Sequence, residues 1–438
     1  MSNTIFRAGL LKSWAASAVI AFGLVACGGG GDGGGAVTPT PASPLAAPKA
    51  LIAQPSESRF YASWTSAMLD ATVEWPGTAV KPAPTFNNQT VRQVVRLSLG
   101  GDTVRLRLSN RFGTAPLTFS GVRVARSANG AADIDVATDR AVTFGGQTSV
   151  TLPAGADVTS DAVALPVTAL SDLAVTSYFA GSATLATLHA DARQLSYVVA
   201  GNQLSAPGFQ AAATQTRDIF YALTAVEASS TEATKVIVAF GDSLTDGVGT
   251  AMGSNTRLPN QLDDRLKAAG MARTGVVNAG ISGNRWVYDF AGPSGSSRFS
   301  RDVLEVTGVT HAILLLGIND IGFSVVFPQM QAASAQQIID AIQAATNAAN
   351  ARGIQVMLGT LLPFKRTEYH SEASEAKRLA INSWIRRQTI ATVIDFDQVI
   401  SNPAEGTALN PLYDSADHLH LNRAGYGAMA AAVDINRL

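Results

Sequence analysis

Val236-Ile237-Val238-Ala239-Phe240-Gly241-Asp242-Ser243-Leu244 is the stretch that decides how this chain folds. Five apolar residues without a break describe a strand buried on both faces, as in a parallel sheet covered by helices. The run stops in Gly-Asp-Ser, where a strand can turn sharply and deliver a serine to the start of a helix. Beyond it, strand and helix patterns alternate. Helices are predicted over Leu258 to Ala269, Ala335 to Ala351, Ser374 to Arg387 and Asn422 to Ile435. Strands are predicted over Thr274 to Asn278, His311 to Leu316, Ile354 to Leu361 and Thr392 to Phe396. Such alternation implies a parallel sheet with helices on both faces. In open sheets of that kind, chemistry gathers beyond the carboxyl ends of the strands.

Upstream of this segment the period changes from helical to two. Val91 to Leu99 and Val104 to Ser109 both alternate apolar with polar residues, and Gly100-Gly101-Asp102 between them reads as a hairpin turn. Further short strands are predicted over Gly121 to Ala125, Ala141 to Phe144, Ser149 to Leu152, Leu173 to Phe179 and Ser196 to Val199. Turn residues separate them at sandwich-like spacing. Trp64 and Trp75 in this region are either sugar platforms or core residues. A polar Ser/Thr/Glu stretch near Ala228 to Thr234 marks the boundary between an all-β, sandwich-like domain (56–230) and an α/β domain (234–438).

The amino terminus reads as an export signal. Arg7 and Lys12 precede an apolar run, Trp14 to Val25, that is too short to span a bilayer. It ends in Leu24-Val25-Ala26-Cys27, which resembles a bacterial lipoprotein signal. The expectation is a signal peptide over 1–26, lipidation at Cys27 and a membrane tether through that lipid; the alternative is an ordinary cleaved signal that contains a cysteine. Gly28 after Cys27 points to the outer membrane rather than the inner, with a periplasmic or secreted enzyme as the other possibility for the cell envelope. Residues 27–55 are Gly-rich and then Pro/Ala/Thr-rich, a composition that tethers but cannot bury a core. Cys27 is the only cysteine in the sequence, so the rest of the chain has no disulfide or cysteine metal site. With 32 basic and 33 acidic residues in no visible block, nucleic acid is an unsuitable partner. No sequence feature indicates an oligomeric state.

Three segments past predicted strand ends carry residues suited to chemistry. In the first, Ser243 can present its hydroxyl at the start of a helix whose N–H groups stabilise negative charge; a Gly-Asp-Ser is equally a common helix cap. In the second, Leu316-Gly317-Ile318-Asn319-Asp320, the Asn319 amide can donate to an oxyanion or merely cap the next helix. The third, Asp414 to Asn422, holds two of the five histidines, His418 and His420. A serine needs a base, and histidine is the usual one near neutral pH. Asp417 lies three residues before His420, close enough to orient its imidazole. Of the remaining histidines, His189 belongs to the β domain, His311 opens a buried strand and His370 falls at the crevice rim. A metal reading of Asp-His-x-His lacks any supporting cluster elsewhere in the sequence.

Together these segments resemble the blocks of the GDSL/SGNH hydrolase family. Gly241-Asp242-Ser243-Leu244 is similar to its nucleophile block, Asn278 to Asn284 to the block with an oxyanion glycine, Gly317 to Asp320 to the block with an oxyanion asparagine, and Asp417 to His420 to the acid–base block. The four come in the family's order across Val236 to Leu438. The resemblance implies a flavodoxin-like three-layer α/β/α SGNH hydrolase domain. It also implies a catalytic triad of Ser243, Asp417 and His420, an oxyanion hole from Ser243, Gly283 and Asn319, and no cofactor or metal. Asp242, Asn284, Trp286 and His370 are the candidate substrate-lining residues. One departure is Leu421, where relatives usually carry proline after the histidine. A looser resemblance, through Arg301 to Leu304, Gly322 and Tyr413 to Ser415, is to arylesterases and xylan-associated acetylesterases with an N-terminal β domain. It implies a small-molecule or polysaccharide ester as substrate; longer acyl chains, as for a lipase, lysophospholipase or thioesterase, and a carbohydrate-binding role are the alternatives.

Overall fold

The apolar run builds the middle of a parallel sheet. Lys235–Gly241 (β1) has neighbours on both sides, Thr274–Gly280 (β2) and Val309–Leu315 (β3), and its residues Val236 to Phe240 are at most 1% exposed. Gln355–Gly359 (β4) and Thr392–Ile394 (β5) extend the sheet, in the order β2-β1-β3-β4-β5 with every neighbouring pair parallel. This is the flavodoxin-like order, whose direction reverses between β1 and β3 and opens a crevice there. The computed structural model describes residues 59–73 and 83–438. The expected signal, the tether, Cys27 and Trp75 lie outside the described residues. Among the described residues, no helix is long and apolar enough to cross a membrane.

Helices cover both faces of the sheet. Leu258–Ala268 (α2) packs on β2 and on Arg423–Ala432 (α8), which in turn meets Phe396–Ile400 (α7). Against the other face lie Gly295–Phe299 (α3), Ile318–Val326 (α4), Ala335–Asn350 (α5) and Glu372–Arg387 (α6). Their starts are specified locally: Ser334 and Gln337 form a capping box on α5, Ser371 and Ser374 one on α6, and Asn422 caps α8. Ser243–Asp246 (α1) follows β1 directly, capped by the Asp242 carboxylate, which accepts from the Leu244 N–H at 3.1 Å.

Residues 59–73 and 83–230 form two larger antiparallel sheets, flanked by three small ones of two or three strands, around a shared apolar core. One holds Arg59–Thr65, Leu223–Ser230, Gly101–Ser109, Asp157–Thr159 and Val163–Val167. The other centres on Ser196–Ala200, Gln89–Arg96, Asp172–Phe179 and Gly121–Arg126. Here the expected hairpin is corrected. Gln89–Arg96 pairs with Asp172–Phe179 and Ser196–Ala200, while Gly101–Ser109 pairs with Leu223–Ser230, so Gly100-Gly101-Asp102 carries the chain from one sheet to the other. Alternation reports which face of each run is apolar, and both apolar faces point into the same core; it does not report which strand is the partner. Trp64 belongs to that core, 9% exposed and edge-on to Phe220 with centroids 4.9 Å apart.

β2 ends the parallel sheet, and the β layer covers its flank. Thr65 Oγ1 donates to Asn278 O at 2.8 Å, Ala62 N to Thr307 O at 2.9 Å, and Thr307 Oγ1 to Glu227 Oε1 at 2.6 Å. Ala62, Ala67 and Leu99 are part of the same apolar core as the parallel sheet. Residues 55–438 accordingly make one compact unit.

Candidate active site

Three strand ends converge at the crevice. β1 leads into Ser243 at the head of α1, β2 into the turn Ile281 to Asn284, and β3 through Gly317 into Asn319 on the first turn of α4. The loop before α8 supplies the fourth element. His420 Nε2 lies 2.9 Å from Ser243 Oγ, and its Nδ1 lies 2.7 Å from Asp417 Oδ2. Asp417 Oδ1 also accepts from the backbone N–H groups of Leu419 and His420, at 3.0 and 2.8 Å, so the carboxylate sits in a turn of its own making. Partial burial pushes Asp417 up, but the bonds from His420 outweigh it and hold the carboxyl well below the usual carboxylate range. It therefore stays ionised through neutral pH and accepts from the imidazole. His418 points away and pairs with Asp414 at 2.5 Å.

Leu421 explains itself. The side chain is fully buried in the core, and Ser415 N donates to His420 O at 3.0 Å across the turn. A buried leucine anchors here what a proline would stiffen.

Gly283 adopts φ +76°, and a Cβ there would come within 2.8 Å of Ala291 Cβ, so both backbone and space require glycine. Asn319 is 2% exposed; its Nδ2 donates to Asn284 O at 3.0 Å and its Oδ1 accepts from Tyr369 Oη at 2.9 Å. Asn284 O can only accept, so the amide is held in one orientation and its second N–H remains for another acceptor. The Tyr369 ring lies flat against α4 at Gly322, where a Cβ would meet it at 2.0 Å. Burial pushes the Tyr369 phenol far above its ordinary value, so it remains a neutral donor. Replacing Tyr369 with phenylalanine removes one of the two bonds that orient the amide. One neutral hydrogen bond of about 1 kcal/mol corresponds to a kcat about fivefold to tenfold lower, with KM little changed. Steady-state kinetics on a small aryl ester measures this; an unchanged kcat would mean that Asn284 alone holds the amide.

The candidate lining residues divide. Asp242, Asn284 and Trp286 are at most 1% exposed and support the site from behind rather than line it. Trp286 Nε1 donates to Leu316 O at 2.9 Å, and its ring packs on Phe240 and Phe299. This corrects the expectation of Trp286 as a lining aromatic: its indole is a core plug between β3 and α3. Burial raises the Asp242 carboxyl to about 7, with Asp320 nearby adding to the effect. His370 is half-buried beside Tyr369, its ring 6.4 Å from that of Phe364. The partly exposed aromatics are instead Phe323, Phe327 and Tyr369, packed with the buried Phe290 at centroid distances of 4.6 to 6.4 Å, with Phe323 beside Gly283.

Arg298 was not legible from the sequence. It is fully buried, donating to Gly241 O and Ala279 O at 2.8 Å each and to Asn284 Oδ1 at 2.9 Å, and pairing with Asp302 at 3.1 Å. One guanidinium thus ties β1, β2 and the Asn284 turn together. Asp320 performs a parallel task, accepting from the N–H groups of Trp286 and Val287 at 2.7 and 3.0 Å. No short motif marks Arg298, and the Gly317 to Asp320 block that contains Asp320 does not reveal its partners, which lie more than 30 residues away.

Residues 239–428 match the model of the GDSL-like Lipase/Acylhydrolase family. No curated protein matches the chain. Among solved structures, a lipase/acylhydrolase from Enterococcus faecalis is similar at 20% identity, over 45% of this chain and 93% of its own, with a TM-score of 0.37. An acetyl xylan esterase aligns at 22% identity over 45% and 96% of the two chains with a TM-score of 0.36. A carbohydrate acetylesterase from Sinorhizobium meliloti aligns at 16% identity over 45% and 96%, with a TM-score of 0.35.

Proposed function

The chain carries a GDSL-like lipase/acylhydrolase domain over residues 239–428, and from that premise we propose that it is a serine hydrolase of carboxylic esters acting through an acyl-enzyme. The observation that carries this reading is the unbroken line from Asp417 through His420 to Ser243, with steps of 2.7 and 2.9 Å. In it, His420 Nε2 removes the Ser243 proton as Oγ attacks the ester carbonyl. Asp417 accepts from Nδ1, keeps Nε2 facing the serine and stabilises the imidazolium that forms. The Ser243 N–H heads α1, where a first-turn amide has no acceptor within the helix. With the Gly283 N–H and the remaining Asn319 amide hydrogen it holds the oxyanion. His420 then protonates the departing alcohol, and water repeats the cycle on the acyl group.

For the substrate, we propose short-acyl esters of aryl or carbohydrate alcohols. Phe323, Phe327 and Tyr369, backed by the buried Phe290, form an aromatic cluster that reaches Gly283 through Phe323, which suits a planar or ring-bearing group. A panel of nitrophenyl esters from acetate to laurate, run beside acetylated sugars, tests this. The expected result is kcat/KM falling steadily beyond butyrate; a maximum at eight carbons or more would move the reading to a lipase or thioesterase.

A further inference from the structure

The β layer reaches the nucleophile helix through one side chain. His189 lies on the strand Thr187–Ala190, is 4% exposed, and stacks near Phe220. Its Nδ1 is 2.8 Å from Ala67 O and its Nε2 is 3.1 Å from Asp246 Oδ1. A carbonyl and a carboxylate both accept only, so the ring must present an N–H at each nitrogen, which is the imidazolium form. Burial opposes that charge, but the Asp246 carboxylate and the Ala67 carbonyl together outweigh it and raise the histidine above its ordinary value. Asp191, Asp218 and Arg193 of the β layer and Arg257 beside α2 are the other charges in its field.

Asp246 is placed where this matters. It closes α1 three residues after Ser243 and is 1% exposed. Its other oxygen, Oδ2, accepts from Ser282 N at 3.2 Å and Ser282 Oγ at 2.9 Å, and Ser282 directly precedes Gly283. One carboxylate therefore joins the helix of Ser243 to the turn of Gly283, and His189 holds that carboxylate from the opposite side.

We propose that His189 is a positioning residue for the hydrolytic site, supplied by the β layer. It fixes Asp246 and, through it, the relative placement of Ser243 and the Gly283 N–H. This inference rests on the reading of Ser243 as nucleophile and Gly283 as oxyanion donor. It gives the β layer a task in catalysis that requires no contact with substrate, and it makes the α/β layer incomplete by itself.

The full chain with His189→Ala and with His189→Gln tests it. Misplacement of reacting groups by an ångström costs up to about 100-fold. The alanine variant, still folded by circular dichroism, is expected to lose about 10- to 100-fold in kcat with KM within about twofold. The glutamine amide can still donate to Asp246 and should recover most of that loss. The imidazolium is fully formed below the ordinary histidine value and is lost as pH rises through the raised one. The wild type should therefore show an alkaline fall in kcat that His189→Gln, which does not titrate, lacks. Fluorophosphonate labelling of wild-type Ser243 checks the underlying reading separately. With that labelling intact, an alanine variant of unchanged kcat overturns the role of His189, as does a glutamine variant no better than alanine.

Discussion

Ser243→Ala is expected to abolish ester hydrolysis and to leave the protein folded. The hydroxyl makes one hydrogen bond, to His420 Nε2 at 2.9 Å, at a 7% exposed position on the crevice floor. Removing it costs stability on the order of 1 kcal/mol or less, because the imidazole left behind can turn to water. The catalytic loss is of another size. Without Oγ the proposed acyl-enzyme cannot form, and a loss of about 10⁶-fold in turnover is expected. Hydrolysis of a nitrophenyl ester, fluorophosphonate labelling and a thermal melt, all on one preparation, check the three parts. Full activity with an unchanged melt would remove Ser243 from the mechanism.

Arg298→Met should have the largest effect on stability. The guanidinium is enclosed, lies over the Phe240 ring at 4.0 Å, and satisfies two strand-end carbonyls, the Asn284 amide oxygen and Asp302. Burial lowers its pKa to about 10, with Asp302 resisting that fall, so it remains charged at neutral pH. Methionine fills the stem but takes one donor from each of those acceptors, of which Gly241 O keeps the Ile281 N–H at 3.1 Å. Breaking a buried pair by removing one partner costs about 3–5 kcal/mol. Arg301 still reaches Asp302, at 2.5 and 2.9 Å, so the lower end applies to that carboxylate. Arg298→Lys should recover little, because one ammonium cannot match a planar fork that addresses Gly241, Ala279 and Asn284 at once. Urea unfolding of wild type and both variants measures this. A methionine variant within about 1 kcal/mol of wild type would show that water replaces the guanidinium.

The two predictions separate what was readable from what was not. Ser243 and His420 each sit in a segment of fewer than ten residues; singly these segments are weak signals, and their order along the chain, with the family resemblance it carries, marked the two residues. Arg298, Tyr369 and His189 carry no such signal. Tyr369 meets Asn319 across 50 residues, and His189 and Arg298 each meet their site partners, Asp246 and Gly241, across 57. Gly322 was noticed in the sequence, but only the ring of Tyr369 laid over it explains why the helix has no side chain there. Trp286 shows the reverse error: an aromatic in a loop past a strand end looks like a substrate wall, yet the loop folds inward and the indole becomes core.

By itself, the sequence determined the period of each segment and the order of the reactive blocks. Those properties depend on neighbours in the chain, through alternation, capping and the turn that holds Asp417 to His420. Only the tertiary structure decided which strands pair, so that Gly100-Gly101-Asp102 became a crossing between sheets and not a hairpin. It also decided which buried charges hold the site, with Arg298 behind the strand ends and His189 reaching Asp246 from the β layer. Burial patterns record that a face is covered, and they are blind to what covers it. The groups that position Ser243 are therefore set by packing between distant segments, where the unscreened cost of an unpaired polar atom selects its partner.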